Sequence, residues 1–338
     1  MRSRTVISTA LTLGALLAGA TAVTAARRGD EVQRIDFGVT RTATNPAYDA
    51  RLSPVSDPSI KEFVIPITHD TIEISKGVKY EGWTFGGTVP GPTLRVREGD
   101  LVRIKVVNKS NMPHSIDFHS ARIPANVAYR SFVPGDSITF EFVARDPGAY
   151  LVHCGTPPIT MHIMQGMYFA IIVDPKGGWG TDVDKEFVLV QSEFYAKTDS
   201  ATNAVVPDWA AALNKNAKYV VFNGRAGQYK DAPLMVNVGD RVRFFVVNAG
   251  PSFRSDFHVV GAVFDRVYPD GNPDNVLEKV QTQSIPAGGG AVFETVFEKG
   301  ASGEGLYPFV THSFADAEKG AVGIIQVGQP KVHTTMSH

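Results

Sequence analysis

Leu151-Val-His153-Cys154-Gly-Thr-Pro-Pro-Ile-Thr-Met-His162-Ile-Met-Gln-Gly-Met167 carries the only cysteine of the chain, and Met112-Pro-His114-Ser-Ile-Asp117-Phe-His119 precedes it. Together the two stretches hold four of the nine histidines. Two imidazoles and a thiolate in a trigonal plane, with a weak axial thioether, form the soft ligand set of a blue-copper electron-transfer centre. His114, Cys154, His162 and Met167 supply that set, with the spacing Cys-x7-His-x4-Met and an upstream histidine. His119 and His153 are left over, and each lies close to one of the four. Neighbouring residues of a strand point to opposite faces, so His153 and Cys154 do not easily serve one metal. Two metal sites joined by one peptide bond follow. A single buried cysteine is ordinarily a small core hydrophobe, and a single strand histidine an ordinary core residue. It is the ordered set that points to metal.

Working outward, Phe63-Val-Ile-Pro-Ile-Thr68, Leu101-Val-Arg-Ile-Lys-Val-Val107, Ser137-Ile-Thr-Phe-Glu-Phe-Val143 and Phe169-Ala-Ile-Ile-Val173 alternate or run apolar between Gly, Pro, Asn and Asp punctuation. Short strands spaced in this way predict an all-β sandwich or barrel. The plan recurs about 140 residues later, which is an internal repeat. Glu98-Gly-Asp-Leu-Val-Arg-Ile-Lys-Val-Val-Asn108 is echoed by Val238-Gly-Asp-Arg-Val-Arg-Phe-Phe-Val-Val-Asn248, and Asp117-Phe-His119 by Asp256-Phe-His258. The segment ending at His153 is echoed by the one ending at His312, and the closing strand before Val173 by the one before Val327. Each half is therefore one sandwich, joined near Gly177-Gly-Trp-Gly180. The second copy has neither the cysteine nor the methionine but keeps His258 and His312.

Residues 1–26 begin with Arg2 and Arg4, continue through an apolar run and end in small residues, the pattern of a secretory signal peptide. An uncleaved membrane anchor is the alternative. In an exported protein one cysteine has no internal disulfide partner, so Cys154 needs another explanation, such as metal ligation. The formal net charge of −1 gives no basic footprint for nucleic acid or an acidic membrane surface. The organisation expected is a polar arm at 27–60, mobile or wrapped on the surface, then sandwiches at 61–178 and 179–328 and a tail at 329–338.

Gly87-Thr-Val-Pro-Gly-Pro-Thr93, His114 to His119, His153-Cys154 with His162 and Met167, and His312 together resemble the copper-containing nitrite reductases. The resemblance runs from about Glu62 to Val327. It implies two tandem cupredoxin-type Greek-key β-sandwich domains, a homotrimer, and two coppers per subunit. Type 1 copper would be held by His114, Cys154, His162 and Met167. Type 2 copper would be held by His119 and His153 with His312 of the neighbouring subunit. Asp117 and His258 match the family's active-site aspartate and histidine, and Val260 falls where an aliphatic residue covers the substrate. The reaction implied is one-electron reduction of nitrite to nitric oxide and water, with a small cupredoxin or c-type cytochrome as electron donor and a periplasmic or otherwise exported location. Three neutral imidazoles leave an open position for an anion. Asp117, lying between His114 and His119, is the natural proton donor to a bound oxyanion, with His258 as the second.

Two departures from the family stand out: Ser120-Ala-Arg122 through Arg130 replaces a glycine-rich loop, and the Cys154 to His162 loop is one residue shorter than in some members. A two-domain multicopper oxidase would need His-x-His pairs, which this sequence lacks, and a histidine where Gly155 follows Cys154. A non-enzymatic blue-copper electron carrier would need only the first four ligands. His69 reads as a structural residue in a Thr-His-Asp turn without a partner histidine, and His333 and His338 lie in a polar tail.

Overall fold

Alternating burial along Leu101–Asn108 shows how the first sandwich forms: Val102, Ile104 and Val106 point inward while Arg103 and Lys105 face outward. β-branched residues at every second position fit a pleated, half-buried surface, and here they meet Phe63, Ile65 and Ile67 of the parallel neighbour Ile60–Ser75. The computed structural model describes residues 31–38, 47–298 and 303–329. The expected signal segment and the histidines of the tail lie outside the described residues. No helix among the described residues is long and apolar enough to cross a membrane.

In the first sandwich one sheet runs Val32–Asp36, Ile60–Ser75, Leu101–Asn108, Ser137–Val143, with Val78–Phe85 also paired to Ile60–Ser75. The facing sheet runs Leu94–Arg97, Tyr168–Asp174, Gly148–His153, Asp117–Phe118. The second sandwich repeats the plan. Lys185–Phe194 lies parallel to Arg241–Gly250, which pairs antiparallel with Gly290–Val296, while Ser255–Val259, Gly305–Thr311 and Val322–Val327 lie in the facing sheet. These strands fall where the four clearest sequence runs and their echoes put them.

Tyr168–Asp174 is buried at all seven positions, because both of its faces are covered. Phe169, Ile171 and Val173 join the core of the first sandwich. Tyr168, Ala170 and Ile172 meet Val188, Val190, Phe245 and Val247 of the second. A strand buried on both sides reads as a continuous apolar run. That shared layer makes the described residues from Glu31 onward one compact unit. The sandwiches approach closely enough that a Cβ on Gly290 would lie 2.0 Å from the Ala149 carbonyl oxygen, on the strand that ends at His153.

Of the local readings, one gains detail and one changes. The stretch expected as an arm contributes an edge strand, since Val32–Asp36 pairs parallel with Ile60–Ser75. Farther along, Val188 donates to the Ala50 carbonyl, and Tyr229 donates its hydroxyl to the Tyr48 carbonyl, so this part wraps onto the second sandwich. His69 is not in a turn. It lies within Ile60–Ser75, directly across from Trp83.

Phe257, on the strand that carries His258, is fully buried among Phe222, Phe244, Phe264, Phe293 and Phe309. Phe257→Ala removes the centre of that cluster. The expected cost is about 3–5 kcal/mol of unfolding free energy, measured by denaturant titration.

Candidate metal centres

The first centre is built where the strand Gly148–His153 ends. Cys154, His114 and His162 are all buried, and their donor atoms lie within 4.8 Å of one another. Cys154 Sγ stands 3.2 Å from His162 Nδ1 and 4.0 Å from His114 Nδ1, and the two Nδ1 atoms are 3.1 Å apart. A short helix, Ile159–Met164, carries His162. The backbone N–H of Cys154 donates to the Met167 carbonyl at 3.1 Å, which sets the buried Met167 across from the cysteine. Ser115 donates its backbone N–H to Cys154 Sγ at 3.4 Å.

Burial holds the His114 imidazole down at about 3, with the nearby His162 and His69 adding to it. Burial, then His69, lowers His162 to about 4. Burial pushes the Cys154 thiol up. Neutral imidazoles are ready to bind metal, whereas the thiol must give up its proton to a cation.

The second cluster lies on the other side of one peptide bond. Asp117 and Phe118 pair with His153 and Val152 of the neighbouring strand, so period-two alternation puts Phe118 in the core and Asp117 and His119 outside. His119 Nδ1–H donates to the Gly288 carbonyl at 3.1 Å, and His153 Nδ1–H to the Cys154 carbonyl at 2.9 Å. Carbonyl oxygens only accept, so both rings carry their proton on Nδ1 and present a bare Nε2 lone pair. Those two Nε2 atoms are 3.1 Å apart. Facing lone pairs repel unless a cation or proton lies between them, and His153 Nε2 is also 3.9 Å from the Asp117 carboxylate. Desolvation of the ring, then His153, lowers the His119 pKa against the pull of Asp117, although part of the ring is exposed.

The second sandwich repeats this arrangement. Ser255, Phe257 and Val259 are buried while Asp256 and His258 face outward. His312 donates its backbone N–H to the Asp256 carbonyl at 2.7 Å, so the pair Asp256 and His312 matches Asp117 and His153. The rings of His258 and His312 are 5.4 Å apart, much as those of His119 and His153 are 5.1 Å apart. His258 Nδ1–H donates to the Gln281 carbonyl at 2.6 Å, leaving its Nε2 outward as well. Val260 and His312 are exposed. His312 is not among the donors that gather with His119 and His153 in the single chain.

Sequence reasoning missed the group behind His114. His69 Nε2 is 2.9 Å from His114 Nε2, so His69 does have a partner histidine. The contact depends on the register of the hairpin that sets His69 against Trp83, and residue spacing carries no sign of it.

A multicopper oxidase family matches residues 66–178. Over 263 residues the chain is 42% identical to the copper-containing nitrite reductase of Neisseria meningitidis, covering 76% of this chain and 67% of that one. It thus spans about two thirds of the length of the Neisseria relatives. The solved copper nitrite reductase of Nitrosomonas europaea superimposes with a TM-score of 0.73 at 35% identity, over 80% of this chain and 94% of the other. A solved multicopper oxidase superimposes with a TM-score of 0.69 at 30% identity, over 80% and 89%.

The depressed imidazoles give a pH prediction for the metal-free protein. His114 and His162 titrate lower when folded than the ordinary 6.5, so the folded state binds fewer protons than the unfolded chain between about pH 6.5 and 3. Their contribution is full above 6.5 and is lost as the pH falls through that window. Thermal unfolding of the metal-free protein should show the midpoint falling from pH 6.5 downward.

Proposed function

The chain belongs to the copper-containing nitrite reductases, and on that premise we propose that it reduces nitrite to nitric oxide with two coppers per subunit. The observation that carries this reading is the division at one peptide bond. Cys154 is buried with His114 and His162, and His153 is turned out beside His119.

In this reading His114, Cys154, His162 and Met167 hold type 1 copper. His119 and His153, with His312 of a neighbouring copy, hold type 2 copper. When bound, copper supplies the one-electron chemistry: NO2⁻, one electron and two protons give NO and water. The chain's own groups do the rest. The peptide between His153 and Cys154, bridged by the His153 Nδ1–H bond to the Cys154 carbonyl, is a short covalent route between the centres. The Gly288 and Cys154 carbonyls hold both rings with Nε2 outward. Asp117, within reach of His153, donates one proton to the departing oxygen. His258, kept beside His312, donates the other, and Val260 forms an apolar wall.

The outward His119/His153 pair on one sandwich and the outward His258/His312 pair on the other support a head-to-tail contact between copies. Such heterologous contacts close into rings, and the family points to three. Export to the periplasm and a small cupredoxin or c-type cytochrome donor complete the reading. A carrier with one copper is disfavoured, because the second histidine pair would then be idle. An oxidase is disfavoured by the absence of His-x-His.

The test is anaerobic nitric oxide release from nitrite with an artificial one-electron donor, alongside metal analysis. Two coppers per chain and steady release are expected; one copper and no release would establish the carrier instead. Cys154→Ala should abolish the visible thiolate band while the second copper stays bound. His312→Ala should keep the colour and lower turnover by about 100-fold or more. A fully active His312 variant would refute the inter-subunit site. Asp117→Asn should lower turnover by about 10²–10⁴-fold at unchanged copper content.

A further inference from the structure

The two ligand histidines of the thiolate centre are walled off by a pair of residues from the other sheet of the first sandwich. His69 and Trp83 face each other across the hairpin Ile60–Ser75 and Val78–Phe85, and their rings stack at 5.1 Å with planes 14° apart. The Trp83 ring stands edge-on to both His114, at 5.5 Å and 66°, and His162, at 5.0 Å and 66°. Trp83 is 8% exposed and His162 1%. The Trp83 backbone N–H donates to the carbonyl of Gln165, the residue that ends the helix bearing His162. His69 is the half-buried member of the pair, with its Nε2 2.9 Å from His114 Nε2.

The proton in that contact is assigned by what lies on the far side of His114. Its Nδ1 faces Cys154 Sγ and His162 Nδ1, so a metal held there takes the Nδ1 lone pair. The ring proton is then on Nε2, and it can only be donated to His69. His69 in turn accepts through Nε2 and carries its own proton on Nδ1.

We infer that His69 is a positioning residue for the thiolate centre: its Nε2 accepts the Nε2–H of His114, fixing the tautomer and ring plane that turn Nδ1 to the metal, while Trp83 clamps both partners. The inference rests on the type 1 copper reading above. An acceptor behind a ligating imidazole makes that imidazole a stronger donor and holds its orientation. A stronger donor favours the cupric state. Removing the acceptor therefore weakens Cu(II) binding more than Cu(I) binding and raises the reduction potential of the site.

Three variants test this. His69→Leu removes the acceptor, His69→Gln offers an amide oxygen at similar reach, and His69→Asn offers the same group on a shorter arm. Visible and electron paramagnetic resonance spectra, redox titration and Cu(II) affinity are read for each, with far-ultraviolet circular dichroism to report folding. The Leu and Asn variants should bind Cu(II) at the thiolate site about 10-fold or more weakly. Their potential should be shifted upward and their spectrum altered, with Gln returning toward the parent protein. Unchanged spectrum, potential and affinity in Leu or Asn overturns the inference, and if Leu fails to fold, the contrast between Gln and Asn decides. A parent protein that takes up copper without any thiolate band would instead overturn the copper reading itself.

Discussion

Successive side chains of an extended backbone point to opposite faces, and the rest of this structure depends on that rule holding at residues 153 and 154. Cys154 turns into the core of the first sandwich, where burial keeps its thiol protonated until a cation replaces the proton. His153 turns outward to meet His119. One peptide unit thus carries a fully buried thiol on one side and, on the other, an imidazole that shares its neighbourhood with Asp117 and His119. The strand that enforces it is held on both sides, by Asp117–Phe118 and by Tyr168–Asp174, and the second sandwich presses on it through Gly290.

Repetition of the sandwich within the chain then acquires a chemical sense. Both copies end a strand next to an Asp-Phe-His segment, so both project an aspartate and a histidine pair outward with a phenylalanine anchored beneath. The first copy adds cysteine and methionine and gains an interior centre. The second keeps only the outward pair. In each copy a backbone carbonyl takes the Nδ1 proton of a histidine, so the ring keeps its Nε2 lone pair free, and in the first copy that of His119 meets His153.

Much of this was legible in residue order. Three of the four expected donors, His114, Cys154 and His162, gather as their spacing implied, and a loop and a short helix return the chain so that the Met167 backbone pairs with Cys154. The strands announced by alternation were found at Leu101–Asn108 and Ser137–Val143, since period-two burial is a local property of the chain. Val32–Asp36 was not legible. An edge strand with exposed alternate residues buries too little apolar surface to leave a pattern. The helix carrying His162 is six residues long, below the length at which periodicity speaks.

By itself, then, the sequence determined the all-β repeat, the candidate histidine–cysteine cluster and the order in which the two copies present their histidines, because each of these is written in local spacing. Only the tertiary structure decided that His69 stands behind His114, that Trp83 closes over both ligand rings, and that the Gly288 carbonyl orients His119 from the other sandwich. Each of these contacts joins residues 45, 79 and 169 positions apart respectively. Their existence rests on strand register and on how two sheets meet, which are properties of the packed whole.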